Sequence, residues 1–479
     1  MDKNYYITTP IYYPSAKPHM GHAYTSIIAD FFARFKRIDG FNVHFLTGTD
    51  EHGLKIQRAA EKKKMDPLKF CDEISQTFRD LSKTLNLSNT DFIRTTEERH
   101  KKTVQHLWLE LEKNDDIYLS KYSGWYSVSD EAFYNEDEIK INDGNKIAVS
   151  SGSSVEWIEE ESYFFRLSKW QDKLLEYYEK NPAFISPKSR KNEVVSFVKT
   201  GLKDLSISRK AFSWGIKVPN NADHVIYVWL DALTNYISAL NYPDTSDDLF
   251  KKFWPATVHL IGKDILRFHA VYWPAFLMAS KIPLPEKIYG HGWILSGDEK
   301  MSKSKGNILD PLDIIEKYGL DPLRYYLIKE VSFGNDGNIS QDKLEDCINS
   351  DLANNYGNLC QRVTAFAEKN CSSNIPIIKK LEKDDLVILN KFTENLSTLR
   401  EEIDKQNINF YIQFIVNALF EANKYFNDQE PWKKKDNKER LDTIVYTSLE
   451  IIRKISFMLY PIIPESVEKA LKIFNLNPK

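Results

Sequence analysis

The hydrophobic pattern of the first fifty residues changes period twice, and this limits the fold more than any other feature of the chain. Residues 4–10 (NYYITTP) alternate as a short strand and run into a proline-bracketed loop. From Gly21 onward, Tyr24, Ile27, Ile28, Phe31, Phe32 and Phe35 fall at i, i+3, i+4, i+7, i+8 and i+11, one face of a helix that stops near Gly40. Phe41 to Leu46 predicts a second strand, followed by the polar loop TGTDEHG. Strand, loop, helix, strand is how a Rossmann-type, doubly wound parallel α/β sheet begins, and such sheets carry functional residues just past the strand ends.

The sheet is not continuous in sequence. Residues from about 115 to 215 are rich in Tyr, Trp, Ser and Glu, with turn signals such as Asp143-Gly144-Asn145. Strand signals return at Val225–Leu230, Val258–Gly262 and Ile288–Leu295, and beyond about residue 345 the pattern is almost entirely helical. Ile412, Ile415, Val416, Leu419 and Phe420 make one apolar stripe there and residues 444–459 another. The expected organisation is a first sheet half over 1–115, an inserted connective module over 116–220, a second half over 221–297, a loop-bearing region over 298–345 and an α-helical bundle over 346–479.

Composition removes several function classes. With 65 basic and 68 acidic residues the net charge is −3, so no bulk basic surface exists and any nucleic-acid contact must be local. Cys71, Cys347, Cys360 and Cys371 are scattered without a Cys-x-x-Cys pair, which argues against a disulfide framework and for a reducing compartment. The N-terminus has no charged-then-apolar signal pattern, and no apolar run approaches bilayer length. A cytoplasmic protein without membrane attachment is expected.

Two segments carry phosphate chemistry. His19-Met20-Gly21-His22 sits where the first loop becomes the first helix, and there backbone N–H groups and the helix dipole favour an anion. Two imidazoles can donate to phosphate oxygens, and Gly21 lets a flat base approach the backbone. Lys300-Met301-Ser302-Lys303-Ser304-Lys305-Gly306-Asn307 follows the strand at 288–295. A loop with several lysines and small hydroxyl residues suits charge developing at an α-phosphorus and on departing pyrophosphate.

HMGH and KMSKS in this order resemble the paired signatures of class I aminoacyl-tRNA synthetases. The segments ITTPIYYPSAKPHMGH, FLTGTDEHG, VIYVWLDALTNYI, IGKDILRFHAVYWPAFLMAS and YGHGWILSGDEKMSKSKGN are similar to the methionyl-tRNA synthetases in particular, across nearly the whole chain. The resemblance implies ATP with Mg2+, L-methionine and tRNA(Met) as partners, and a ligase that makes methionyl-adenylate before esterifying tRNA. Alternatives are a class I synthetase for another amino acid and a non-catalytic tRNA-binding paralogue. The resemblance assigns catalysis to His19, His22, Lys300 and Lys303, with Lys303 the more critical lysine; Lys300, Lys303 and Lys305 are not otherwise ranked. ATP contacts would add Gly21, Ser302 and Asp264, the last beside Lys263 at a strand end. The loop residue His52 faces ribose or phosphate in this reading, and Arg209 is either an active-site arginine or half of a surface ion pair.

By the same resemblance Ile11, Tyr13 and Asp50 meet the amino end of methionine, and Asp50 is the natural partner of an ammonium group. Trp229, Ala232, Tyr236, Phe268, His269 and Trp273 would enclose the thioether, since polarizable sulfur packs well against rings. Trp229, Ala232 and Tyr236 fall independently at i, i+3 and i+7. The inserted module is too short for the large editing insert of the isoleucine, valine and leucine enzymes.

Many methionine enzymes carry zinc knuckles in that module. Here the first Cys-x-x-Cys position holds Ser127 and Asp130, and no second ligand pair is visible between residues 142 and 156. Structural zinc needs four soft or imidazole ligands, so no metal is expected and the module must rely on packing, with Trp125, Tyr126, Phe133 and Tyr134 as candidates. This matches the zinc-less form of the family.

In the helical part Leu352, Tyr356, Leu359, Val363 and Phe366 predict a buried face, with Asn354, Asn358 and Arg362 at i+4 steps opposite. Amides and a guanidinium so aligned can address base edges. The resemblance makes Asn358 and Arg362 a base-reading pair and Trp432 the residue that stacks on the first anticodon base. A monomer is expected, since the last helical pattern ends close to Lys479 and leaves no room for an appended dimerising domain.

Overall fold

The structure, a computed structural model, describes residues 3–14, 17–130, 132–142, 144–296, 299–300, 309–378 and 380–476; side chains at 122, 132, 133, 228, 299 and 300 also lie outside the described residues. The chain divides into two compact units, one of Met1–Ala29 with Phe41–His291 and one of Asp30–Gly40 with Gly292–Lys479.

The first unit is built on a parallel sheet, six-stranded among the described residues. Its order is Asp91–Arg94, Asn42–Thr49, Asn4–Tyr12, Val258–Gly262, Ile288–His291, Ile185–Ser186. Chain order reverses between Asn4–Tyr12 and Val258–Gly262, which pair through Ile7 with Val258 and Thr8 with His259. Ligands of such sheets bind at this switch point, outside the carboxyl ends of the strands. The helix Met20–Ile38 buries Tyr24, Ile27, Ile28, Phe31, Phe32 and Phe35 as the periodicity predicts. Its polar residues Thr25, Ser26, Asp30, Arg34 and Lys36 are buried as well.

Two predicted strands are corrected. Val225–Leu230 is a strand only to Ile226; Val228–Leu233 is helical, and Asn221–Ile226 pairs antiparallel with Ser208–Arg209 and Lys217–Val218. A short, wholly apolar run reads alike for strand and buried helix, and here tertiary packing decides. The segment expected as Ile288–Leu295 is two strands, Ile288–His291 and Ile294–Ser296, in different sheets, separated at Gly292. Much of the inserted region is antiparallel, with Ile117–Ser127 against Glu156–Phe165, yet Ile185–Ser186 joins the edge of the parallel sheet.

The second unit is mainly helical. In Ile408–Asp428 the residues Ile412, Ile415 and Leu419 are buried as expected, while Phe420 is exposed and Tyr411, Phe414, Ala418, Ala422, Tyr425 and Phe426 complete the inner face. Leu352 and Phe366, expected in the core, are only half-buried. Their segment includes a π-helical stretch, Ile348–Gly357, whose wider turn moves Leu352 off the line set by Leu359 and Val363.

Candidate active site

Proline shapes the first strand's exit. Between Asn4–Tyr12 and Asn42–Thr49 the register runs to Thr8 with Leu46 and resumes at Ile11 with Gly48, an extra residue on the first strand. Pro10 has no N–H to give the ladder, and Thr9 Oγ1 lies 2.8 Å from Pro10 O and 2.7 Å from Thr47 Oγ1. A bulge redirects the residues that follow it, here Ile11, Tyr12 and Tyr13.

In the HMGH turn, each imidazole has its tautomer set by a backbone amide. His19 N–H donates to His22 Nδ1 at 3.1 Å, and Gly21 N–H donates to His19 Nδ1 at 3.1 Å. An Nδ1 that accepts leaves the ring hydrogen on Nε2, so both neutral rings keep an Nε2–H donor. The rings stack 3.7 Å apart, and Tyr12 and Phe78 close on His22 at 4.7 and 5.3 Å. That burial, with His19 alongside, holds His22 well below the usual histidine pKa. A Cβ on Gly21 would lie 3.0 Å from His19 Cε1, so glycine here also spares the ring's position. Thr25 was not foreseen: its Oγ1 lies 3.0 Å from Gly21 O and 2.9 Å from His291 Nε2, linking the turn to the end of the strand Ile288–His291.

The DEH loop is fastened on several sides. Asp50 N–H donates to Tyr12 O at 2.9 Å. The buried Glu51 carboxylate accepts from Arg94 Nε at 2.7 Å, Thr49 Oγ1 at 2.7 Å and Thr96 Oγ1 at 2.6 Å. Tyr13 donates its hydroxyl to His52 O at 3.1 Å, and Trp214 Nε1 donates to Glu51 O at 2.6 Å. His52 Nδ1 is 2.6 Å from Asp231 Oδ2, so this ring is turned inward at Nδ1. Between Tyr12 and Glu51, Asp50 is buried at 7% exposure.

The helices Val228–Leu233 and Asn235–Ser238 carry Trp229, Ala232 and Tyr236. Phe268 and His269 stand on a π-turn, Phe268–Tyr272, that runs into the helix Trp273–Ala279. Such π-turns are common at functional sites. Trp229 and Phe268 stack at 3.5 Å. His269 Nδ1–H donates to Ile265 O at 3.0 Å, which leaves Nε2 to accept the Tyr236 hydroxyl at 2.7 Å. Behind them Trp273 Nε1–H donates to His259 Nε2 at 3.3 Å, so His259 Nδ1–H faces Thr8 Oγ1 at 2.8 Å. Tyr236 stacks on His259 at 4.1 Å. Burial lowers His269 to about 4 and holds His259 well below the usual range, with His269 adding to the latter. Tyr236 is thus held in an aromatic cluster by two neutral imidazoles.

A pH expectation follows from that wall. A histidine whose folded value is depressed is neutral above it and gains a proton only as pH falls toward it, here about 4. Protonated Nε2 would no longer accept from Tyr236. If this wall takes the amino acid, as the resemblance implies, its affinity read by tryptophan fluorescence should show no ionisation of His269 near the ordinary histidine value of roughly 6.5, and should fall only toward the acid limit.

Asp264 is exposed just past the strand Val258–Gly262. A Cβ on Gly262 would lie 2.6 Å from Asp264 Oδ1, so this carboxylate can fold back only over glycine. Arg209 is not half of a surface ion pair. It is 2% exposed, lies 3.6 Å over the Tyr227 ring, and donates Nη1 to Ser206 Oγ at 2.7 Å, with Glu160 at 3.6 Å. Ser302, Lys303, Ser304 and Lys305 and the side chain of Lys300 lie outside the described residues.

At the knuckle position, oxygen atoms converge on one carboxylate. Asp130 accepts from Tyr134 at 2.8 Å, from Ser153 Oγ at 2.7 Å and from Ser151 Oγ, and its N–H donates to Ser127 Oγ at 3.3 Å. Burial would raise its pKa, but the hydroxyls outweigh that and lower it. Hydroxyls are poor zinc ligands. Among the described residues no group of three or more His, Cys, Asp or Glu could hold a metal. Of the packing candidates, Tyr126 is buried, Trp125 meets Trp157 at 5.1 Å, and the Phe133 side chain lies outside the described residues.

In the helical unit Asn354 and Asn358 are exposed, and Arg362 is half-buried. Arg362 Nη2 donates to Asn427 Oδ1 at 2.6 Å and its guanidinium lies 5.5 Å over Phe426. Trp432, 41% exposed, meets the same Phe426 edge-on at 6.1 Å. Phe426 and Asn427 end the helix Ile408–Asp428, whose apolar stripe accounts for Phe426 as core, so the sequence alone carries no signal for their contact with Arg362.

The family profile described as tRNA synthetases class I (M) matches residues 5–145 and 143–364. The chain belongs to the class I tRNA synthetases (M). Methionine--tRNA ligase of Rickettsia felis is 53% identical over 484 aligned residues, covering 100% of this chain and 93% of that protein. The Brucella suis methionine--tRNA ligase is 50% identical, covering 98% and 92%. Among solved structures of this family, Mycobacterium tuberculosis methionyl-tRNA synthetase in complex with methionyl-adenylate is 46% identical, with TM-score 0.97 over 99% of this chain and 94% of that one. Its apo form gives TM-score 0.90 at 43% identity.

Proposed function

We infer that this chain is a methionine--tRNA ligase, which activates L-methionine with ATP and transfers it to tRNA(Met). The observation that carries the reading is kinship with methionine--tRNA ligases over 98–100% of this chain and 92–94% of theirs. Asp50 is the group that takes the ammonium, with Tyr13 and the Ile11 backbone beside it. Trp229, Ala232, Tyr236, Phe268, His269 and Trp273 take the thioether.

In the first step the methionine carboxylate attacks the α-phosphorus of magnesium-bound ATP in line, and pyrophosphate leaves. His19 and His22 supply Nε2–H donors at the start of a helix, where the dipole also favours phosphate. Gly21 and Asp264 serve the nucleoside, and Lys300, Ser302 and Lys303 the phosphates. In the second step the terminal ribose hydroxyl of tRNA attacks the adenylate carbonyl, and AMP departs. Positioning and charge stabilisation supply the rate, and no side chain is assigned as general base.

Asn354, Asn358, Arg362 and Trp432 read the anticodon in this account, the bundle over 346–479 being its binding domain. Substituting Arg362 with alanine should cut tRNA charging by ~10–100-fold, the cost of one good base contact, while leaving methionine-dependent pyrophosphate exchange unchanged. Equal loss in both assays would place Arg362 in folding instead.

The connective module works without zinc, and the saturation of Asp130 by hydroxyl donors supports this. Because its pKa is lowered on folding, its stabilising contribution is present above the ordinary aspartate range and is lost as pH falls through the lowered value. Amide protection across 117–165, with exchange corrected for its intrinsic pH dependence, should be unmoved by chelators, lower in acid and lower in D130A. Chelator-induced exchange would contradict the zinc-free reading. We place the protein in the cytoplasm as a monomer; its four cysteines are free thiols, and among the described residues no helix is long and apolar enough to cross a membrane.

A further inference from the structure

We propose that Asp231 is a positioning residue for recognition of the methionine amino group, acting through His52 on the loop that carries Asp50. This role presupposes that Asp50 takes the ammonium.

Asp231 is fully buried, and each of its oxygens is engaged by a different histidine. Oδ2 lies 2.6 Å from His52 Nδ1 and Oδ1 lies 2.7 Å from His100 Nε2. An ionised carboxylate only accepts, so both rings point a hydrogen at it. The two imidazoles overcome the effect of burial and lower Asp231 to about 2, which keeps it ionised through the working range. His100 is in turn fixed at Nδ1, 2.8 Å from Ser238 Oγ. Ser238 Oγ lies 3.0 Å from Thr234 O within the pocket-forming segment.

The placement of Asp231 gives these bonds a consequence. It stands on Val228–Leu233, between Trp229 and Ala232 of the thioether wall. Its partner His52 is two residues from Asp50, and the Tyr13 hydroxyl bonds the same His52 through its carbonyl. One carboxylate therefore joins the wall that measures the side chain to the loop that measures the ammonium. A ligand must satisfy both ends at the spacing Asp231 sets. His100, from the helix Glu98–Lys113, anchors the carboxylate so that it cannot follow the loop. A buried carboxylate is a costly way to hold two segments together unless its direction matters.

The test uses two stable sulfamoyl analogues of methionyl-adenylate, one with the α-amino group and one without it, titrated against D231N, H52Q, D50N and the parent chain. Asparagine keeps the volume of Asp231 but can accept from only one of the two rings while presenting a donor to the other. Losing one charge-assisted hydrogen bond at a buried site should weaken the amino analogue by ~10–50-fold in D231N. The analogue without the amino group should change by less than about 3-fold. H52Q should resemble D231N, and the double variant should lose no more than the larger single loss, since the two act as one unit. Equal weakening of both analogues by D231N would show a general structural role and overturn the proposal. So would an unchanged amino analogue in D231N beside a weakened one in D50N. If D50N itself spares the amino analogue, the Asp50 assignment fails first, and the two failures are distinguished.

Discussion

Asp50→Asn should raise the KM for methionine by ~10–100-fold, the range set by losing a charge-assisted hydrogen bond at a buried position. The KM for ATP should move by less than about 3-fold, because the proposed assignment has the carboxylate meet the amino acid and not the nucleotide. The reason lies in the loop rather than in Asp50 alone. Glu51 is saturated by Arg94, Thr49 and Thr96, and the Asp50 amide is held by Tyr12 O. With the backbone fixed on both sides, an asparagine will occupy the same place with the wrong charge. Pyrophosphate exchange at varied methionine reads the effect directly. A fall in kcat with unchanged KM would move Asp50 from ground-state recognition to the transition state.

His19→Asn should lower the rate of adenylate formation by ~10²–10³-fold, the usual cost of removing one preorganised donor from a developing charge. Asparagine can place its amide oxygen near the former Nδ1 and keep the bond from Gly21 N–H. It cannot reach the position of Nε2. His19→Gln, whose amide nitrogen reaches further, should recover part of the loss. The same comparison at His22 would be confounded, because that ring packs against Tyr12 and Phe78 and its loss also leaves a cavity. Single-turnover formation of adenylate, with methionine affinity measured separately, distinguishes the donor from a change in folding.

The catalytic half was legible in sequence where chemistry and periodicity coincided. The helix after HMGH announces itself by six apolar residues on one face, and its glycine boundaries agree. Asp50 lies just past a strand end, and its assignment to the ammonium is what the resemblance implies. The residues that aim these groups were not legible. His259 sits within an apolar strand, and its role exists only because Trp273 donates to it from another element. Asp231 lies in a short run that reads equally well as strand, and its two histidines are 179 and 131 residues away in sequence. The bulge at Pro10 could be suspected from proline in a strand, but its direction depends on Thr47 across the sheet.

The knuckle shows the opposite case. Replacement of cysteine by Ser127 and Asp130 was visible in sequence, and so was the need for some other support. That Ser151, Ser153 and Tyr134 would supply it on a single carboxylate depends on where a hairpin returns. Arg362 and Trp432 were likewise legible as polar and aromatic surface residues, whereas their common contact with Phe426 required the fold.

The most direct test of the whole account is ATP–pyrophosphate exchange scanned over all twenty amino acids in chelator-treated buffer with magnesium restored. Exchange with methionine alone, undiminished by zinc removal, is the expected result. Exchange driven by a different amino acid would contradict the pocket built on Tyr236 and His269 while leaving the fold intact. No exchange with any amino acid would contradict the ligase itself and leave a tRNA-binding relative in its place.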